Sequence, residues 1–332
     1  MTLRVLDRRR FCTQLLGACA AAGWAGLPSA PALAATGPHA AVVSQQAGTV
    51  CLIDVDKARV AQSFQVPRVP AALAAAPDGR LFVSHPDLGR VSLLDVSSGT
   101  VTLEIPVGKE PFGLAVASAG ADSGADVVVT DWSADALLRL DAATGKETGR
   151  AAVGRSPAHV VVDKRRQLAY VADRESDAVS IVDTERMERL GVVPVGTAPF
   201  ALALSPDGDA LYVGNVRSND LSVVDTIARR ETSRLPAGLM PYGVAVTPDG
   251  ARVLVTNQQN GGLTVIEPRA PEKMTRARIG VFPEGIALAS PSRALVADWA
   301  EDEVLIVELP TLQVIERIHV GAGPRGIVML SA

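Results

Sequence analysis

An acidic residue closes an apolar run seven times along this 332-residue chain, at Asp54, Asp95, Asp141, Asp183, Asp225, Glu267 and Glu308. The steps are 41, 46, 42, 42, 42 and 41 residues, and a proline keeps the same beat at Pro70, Pro111, Pro157, Pro199, Pro241, Pro283 and Pro324. A strand-rich unit of this length cannot bury its apolar faces alone and must stack on copies of itself, which points to an all-β, seven-bladed β-propeller.

One unit shows how a blade forms. Phe200 to Leu204 is apolar, Ser205-Pro206-Asp207-Gly208 makes a tight turn, and Ala210 to Gly214, Leu221 to Val224 and Glu231 to Pro236 supply three more strands. In the turn, proline presets φ and glycine supplies a positive φ. The strands show little polar alternation, as in Val127-Val128-Val129, which fits sheets covered on both faces. No 3.6-residue pattern lies between strands, so a parallel α/β fold is excluded.

The ends are out of phase. Ala41-Val42-Val43-Ser44 reads as a second strand, and Arg325 to Leu330 reads as a first strand. The C-terminal strand should therefore complete the N-terminal blade and close the ring without open edges. The 46-residue step is expected to hold its extra residues in a longer polar turn over 117–124.

Residues 1–34 have the pattern of an export signal: Arg4, Arg8, Arg9 and Arg10, a weakly apolar stretch, then an Ala32-Leu33-Ala34 cleavage pattern. Asp7-Arg8-Arg9-Arg10-Phe11-Cys12 resembles a twin-arginine signal, with Asp7 and Cys12 departing from the usual residues. An uncleaved anchor and a lipoprotein acylated at Cys19 are the alternatives. Residues 35–40 then form a short linker and 41–332 the propeller, in the periplasm or secreted, with no transmembrane segment and as a monomer. Without the leader the chain carries 28 basic and 35 acidic residues, a formal charge of −7. There is no basic stripe for nucleic acid. Cys51, alone in an apolar strand, reads as a buried thiol.

Leu168-Ala169-Tyr170-Val171-Ala172-Asp173, Leu211-Tyr212-Val213-Gly214-Asn215 and Val253-Leu254-Val255-Thr256-Asn257, with flanking Val-Gly-x-x-Pro and Pro-Asp-Gly elements, resemble the YVTN repeat over roughly residues 40–332. That resemblance implies a seven-bladed propeller commonly exported in bacteria and archaea. Its relatives include surface-layer proteins and propellers associated with quinone-dependent oxidation. It carries no universal catalytic residue.

Propellers bind at the channel mouth, and comparing blades singles out departures there. The residues ending the second strands, Gln45, His85, Asp131, Asp173, Asn215, Asn257 and Asp298, are all polar. Such regularity points to backbone hydrogen bonding, with His85 the odd member. The residues after the prolines vary: Ala71, Phe112, Ala158, Phe200, Tyr242, Glu284 and Arg325. They are expected to give an aromatic arc facing a ligand or partner, and a charged pair that reads equally as a surface salt bridge. One position further on is small in six blades and His159 in the seventh. His159 could ligate a metal or haem iron or move a proton, or simply fill a gap. Trp132 and Trp299 share a repeat position and could anchor a partner or a flat cofactor, or simply pack over a blade edge.

No phosphate-binding, nucleophile-elbow or zincin motif is present, and histidines are too few for a multi-histidine metal cage. No cofactor is required by the sequence and no metal site is assigned. The reading is a non-catalytic propeller binding a periplasmic protein or small ligand at its mouth. An oxidoreductase subunit or cofactor-handling protein using His159 is the alternative. A lactonase-like hydrolase, with Asp131, Asp173 and Asp298 holding a divalent cation, is a further one.

Overall fold

The computed structural model describes residues 39–120 and 124–330. They form seven four-stranded antiparallel sheets, the blades of a β-propeller. Blades are numbered in chain order, blade 1 carrying Asp54. Its innermost strand is Pro324–Leu330, paired with His39–Ser44 through Val42↔Ile327 and Ala41↔Val328. The last strand thus closes the ring on the first blade, as the phase of the two ends requires. The export leader and its Cys19 alternative lie outside the described residues. No helix among the described residues is long and apolar enough to cross a membrane.

Burial explains the missing alternation. The middle strands Thr49–Asp54 and Ala178–Asp183 are buried along almost their whole length, because neighbouring blades cover both faces. The outermost strands, such as Thr100–Pro106 and Gln313–His319, are mostly exposed. Cys51 is 3 % exposed, with its Sγ 3.4 Å from Ser63 Oγ.

Two expectations change in detail. The extra residues of the long step extend a hairpin: Pro111–Gly120 and Gly124–Asp131 remain paired out to Ala119↔Ala125 and Gly120↔Gly124. In blade 1 the position equivalent to the polar strand ends is Ser44, opposite Thr49, and not Gln45. It pairs as Asn215 pairs with Asp220 and His85 with Arg90.

The strand-end residues serve the connections between blades, and they do so by a complementary rule. Asp131 accepts the backbone N–H groups of Lys109 and Glu110 at 2.8 and 3.0 Å, and Asp298 accepts those of Val281 and Phe282, both at 2.8 Å. In the blade before each of these connections the hairpin residue in the left-handed region is a glycine, Gly89 or Gly261. Where that residue is Asp135, Asp177, Asn219 or Asp302, its own side chain takes the N–H of Ser156, Ala198, Met240 or Gly323, each at 2.8 Å. In three of these four cases the strand-end residue of the next blade pairs with a hydroxyl: Ser180 Oγ donates to Asp173 at 2.6 Å, and Asn215 and Asn257 donate to Ser222 and Thr264 at 2.8 and 2.9 Å. Six of the seven connections therefore have backbone donors satisfied from one side or the other, while at the connection into blade 2 His85 faces the Arg68 carbonyl instead, at 3.4 Å.

Candidate functional site

The innermost strands run side by side along the channel, each beginning at or just after its repeat proline. Immediately past the proline the inner strand slips register against its neighbour, between Pro111 and Leu114, Pro157 and Val160, Pro199 and Ala201, Pro241 and Gly243, and Pro283 and Ile286. These bulges re-aim consecutive side chains. They build a channel cavity of about 190 Å³ from three layers.

The mouth layer is the residue after the proline, and its large side chains are buried. Phe112, Phe200, Tyr242, Glu284 and Arg325 are 7, 1, 5, 4 and 8 % exposed. They pack on one another: ring centroids lie 5.7 Å apart for Phe112 and Phe200 and 4.3 Å apart for Phe200 and Tyr242. Such contacts add roughly 0.5–1.5 kcal/mol each beyond burial. Arg325 continues the belt, with its guanidinium 5.6 Å from the Tyr242 ring centroid and donating to the Tyr242 hydroxyl. Arg325 Nε also donates to Glu284 at 2.8 Å, and Gln258 donates to the other Glu284 oxygen at 2.5 Å. The charged pair is thus a buried, networked ion pair rather than a surface salt bridge, so loss of one partner would strand the other away from water.

The second layer is the collar of small residues. A Cβ on Gly113, Gly243 or Gly285 would run into the carbonyl oxygen of Ala158, Glu284 or Arg325 in the next blade. Hydroxyls of the preceding strand hold two of these carbonyls in place, Thr130 to Ala158 at 2.7 Å and Thr256 to Glu284 at 2.5 Å. His159 is the exception in the collar. Its ring is half-buried, 4.8 Å from Phe200 and 6.0 Å from Phe112 by centroid, and it lines the cavity. Neither ring nitrogen has a hydrogen-bond partner among the described residues, and desolvation together with the Arg325 cation presses its pKa from 6.5 down to about 4. At neutral pH the imidazole is uncharged, with one N–H donor and one acceptor nitrogen.

The third layer escaped the sequence comparison. Leu73, Leu114, Val160, Leu202, Val244, Ile286 and Ile327, three residues after each proline, all line the cavity. The signal was present as proline-x-small-aliphatic in every repeat but that of His159. It reads as an ordinary strand until the channel is assembled.

The remaining expected residues stand outside this lining. His85 is fully buried, its Nε2 2.9 Å from Ser92 Oγ and its Nδ1 3.4 Å from the Arg68 carbonyl, and burial lowers its pKa. It belongs with the strand-end set. Trp132 is half-buried against Phe112 at 5.5 Å, with Arg174 5.6 Å over its ring. Trp299 packs edge-on to Phe282 at 6.5 Å. Asp131 and Asp298 are committed to backbone donors, and no group of three or more potential metal ligands occurs among the described residues.

A sequence profile described as "Lactonase, 7-bladed beta-propeller" matches residues 121–277, just under half of the chain. No curated protein matches by sequence. Among solved structures the chain is similar to Kuenenia stuttgartiensis hydrazine synthase, with 22 % identity over 79 % of this chain and 95 % of that one and a TM-score of 0.70. It is similar to a functionally unknown protein from Desulfotomaculum acetoxidans DSM 771, with 12 % identity over 88 % and 98 % of the two chains and a TM-score of 0.72. It is also similar to the dihydro-heme d1 dehydrogenase NirN in complex with DHE, with 20 % identity over 88 % of this chain, 66 % of that chain and a TM-score of 0.65. At such identities the likeness is one of fold.

Proposed function

We propose that this protein is an exported, non-catalytic binding propeller whose channel cavity holds a small ligand against His159. The carrying observation is an imidazole with neither nitrogen hydrogen-bonded among the described residues, standing in a collar that is otherwise glycine and alanine. A half-buried polar ring without a partner costs stability. A ligand supplying the missing hydrogen bond would recover it. Export rests on the arginine-rich leader. The test is NMR of the full-length protein with labelled histidine, assigned by His159→Phe, against small anionic, cationic, neutral aromatic and aliphatic compounds. Perturbation of the His159 resonances by at least one class supports the reading; silence across the whole panel refutes it.

A partner protein at the mouth is the second reading. It is favoured by Leu239, Val281 and Phe282, which are 48, 37 and 38 % exposed on two successive connections. The cofactor-handling alternative would use the same neutral imidazole, and the NirN structure carries a bound DHE by its description. A cavity of about 190 Å³ lies below the ~300–1,000 Å³ of sites for drug-sized ligands, so a macrocycle would have to sit above the aromatic belt. A lactonase-like metal site is not favoured, because Asp131 and Asp298 already spend their oxygens on backbone N–H groups.

A further inference from the structure

Resting on the channel-ligand reading above, we propose that the ligand is a single-ring aromatic carboxylate. Its ring would lie in the aliphatic layer and its carboxylate would meet Arg325, Tyr242 and His159.

Size limits the ligand first. An apolar cavity of about 150 Å³ admits one benzene ring, and a water molecule's share of volume is about 30 Å³. A cavity of about 190 Å³ therefore holds one ring with one small polar group. A second ring has no room, and the width cannot be gained at the collar, where Gly113, Gly243 and Gly285 already abut the next blade's carbonyls.

Polarity orients it. The layer beyond the collar is purely aliphatic, including Leu114, Leu202, Val244 and Ile327. The side chains able to hydrogen-bond in the lining are His159, Tyr242 and Arg325, all in the first two layers. A ligand with one apolar and one polar end therefore has a single favourable orientation, polar group toward the mouth.

Hydrogen-bond chemistry then selects the polar group. Tyr242 Oη already accepts from Arg325, so its own hydrogen is left to donate. Arg325 has donors only, and neutral His159 offers one N–H. Glu284, the nearby acceptor, is held by Arg325 and Gln258 and is not among the lining residues. A donor-rich lining suits an acceptor-only group, which is what an ionised carboxylate is. An ammonium would meet the Arg325 cation and find a single side-chain acceptor nitrogen, that of His159. The size limit favours a flat aromatic ring over the bulkier saturated ring of the same carbon count.

The experiment is calorimetric titration of the full-length protein with benzoate, benzamide, cyclohexanecarboxylate and benzylamine at one pH near neutrality, with His159 NMR shifts followed in parallel. Benzoate is expected to bind at least tenfold more tightly than benzamide, which has the same shape but no charge. It should also bind more tightly than cyclohexanecarboxylate and benzylamine. Val244→Phe, which fills the aliphatic layer without touching a polar group, should weaken benzoate at least tenfold. Equal binding of benzamide and benzoate, or benzoate binding unaltered by Val244→Phe, overturns the proposal. Benzoate silent while another compound class moves His159 overturns the ligand class and leaves the channel site standing. Silence of every class refutes both.

Discussion

Asp173→Asn should stabilise the propeller, and only above the acidic range. Asp173 is 1 % exposed, and its Oδ1 has no hydrogen-bond partner. Burial outweighs the hydrogen bond from Ser180 and raises its pKa from 3.8 to about 6. A raised carboxyl pKa means that the native state holds its proton longer than the unfolded chain does. No penalty exists below pH 3.8; stability then falls as pH rises from about 4 through about 6, and the loss is complete above that. A rise from 3.8 to about 6 corresponds to about 3 kcal/mol. Asparagine carries no charge to bury, and the same position already holds Asn215 and Asn257, each donating to the hydroxyl seven residues on at 2.8 and 2.9 Å. Ser180 occupies that place in blade 4. Urea unfolding at pH 4 and pH 8 measures the effect. The variant should gain up to about 3 kcal/mol at pH 8, on the order of 5 °C in Tm, and close to nothing at pH 4. A gain independent of pH, or destabilisation at pH 8, would refute the claim that the buried charge is the source.

Asp298→Ala removes the acceptor for two backbone N–H groups, those of Val281 and Phe282, and should cost about 2–4 kcal/mol in urea unfolding. Asp302→Ala, which frees only the N–H of Gly323, should cost about half as much. Arg325→Met should destabilise by about 3–5 kcal/mol by leaving Glu284 buried without its cation, whereas Glu284→Met combined with Arg325→Met should recover most of that loss. The His159 pKa is depressed to about 4, so stability should be lost as pH falls from 6.5 through 4. His159→Phe should remove that part of the acid dependence, read by thermal unfolding between pH 4 and 7.

Much of this molecule is legible in its sequence. A period near 42 residues in two independent markers determines the number of blades, because each unit is apolar on both sheet faces and must be covered by another copy. The phase of the two ends determines the closure, since a first strand at the C-terminus can pair only with a blade that lacks one. The uniform polarity of the strand ends marked them as structural, and the staples made by Asp131 and Asp298 are of that kind. Tertiary structure alone decided the site. Phe112, His159 and Phe200 come from three successive repeats, and only the stacking of inner strands sets their rings within 4.8 to 6.0 Å of one another. The direction of the residue after each proline could not be read from its neighbours, because a bulge aims it and the packing of the next blade decides whether it meets water. The aliphatic layer is the same lesson in reverse. A leucine or valine in a strand has the same composition whether it fills a core or lines a cavity, and the channel exists only once the ring has closed.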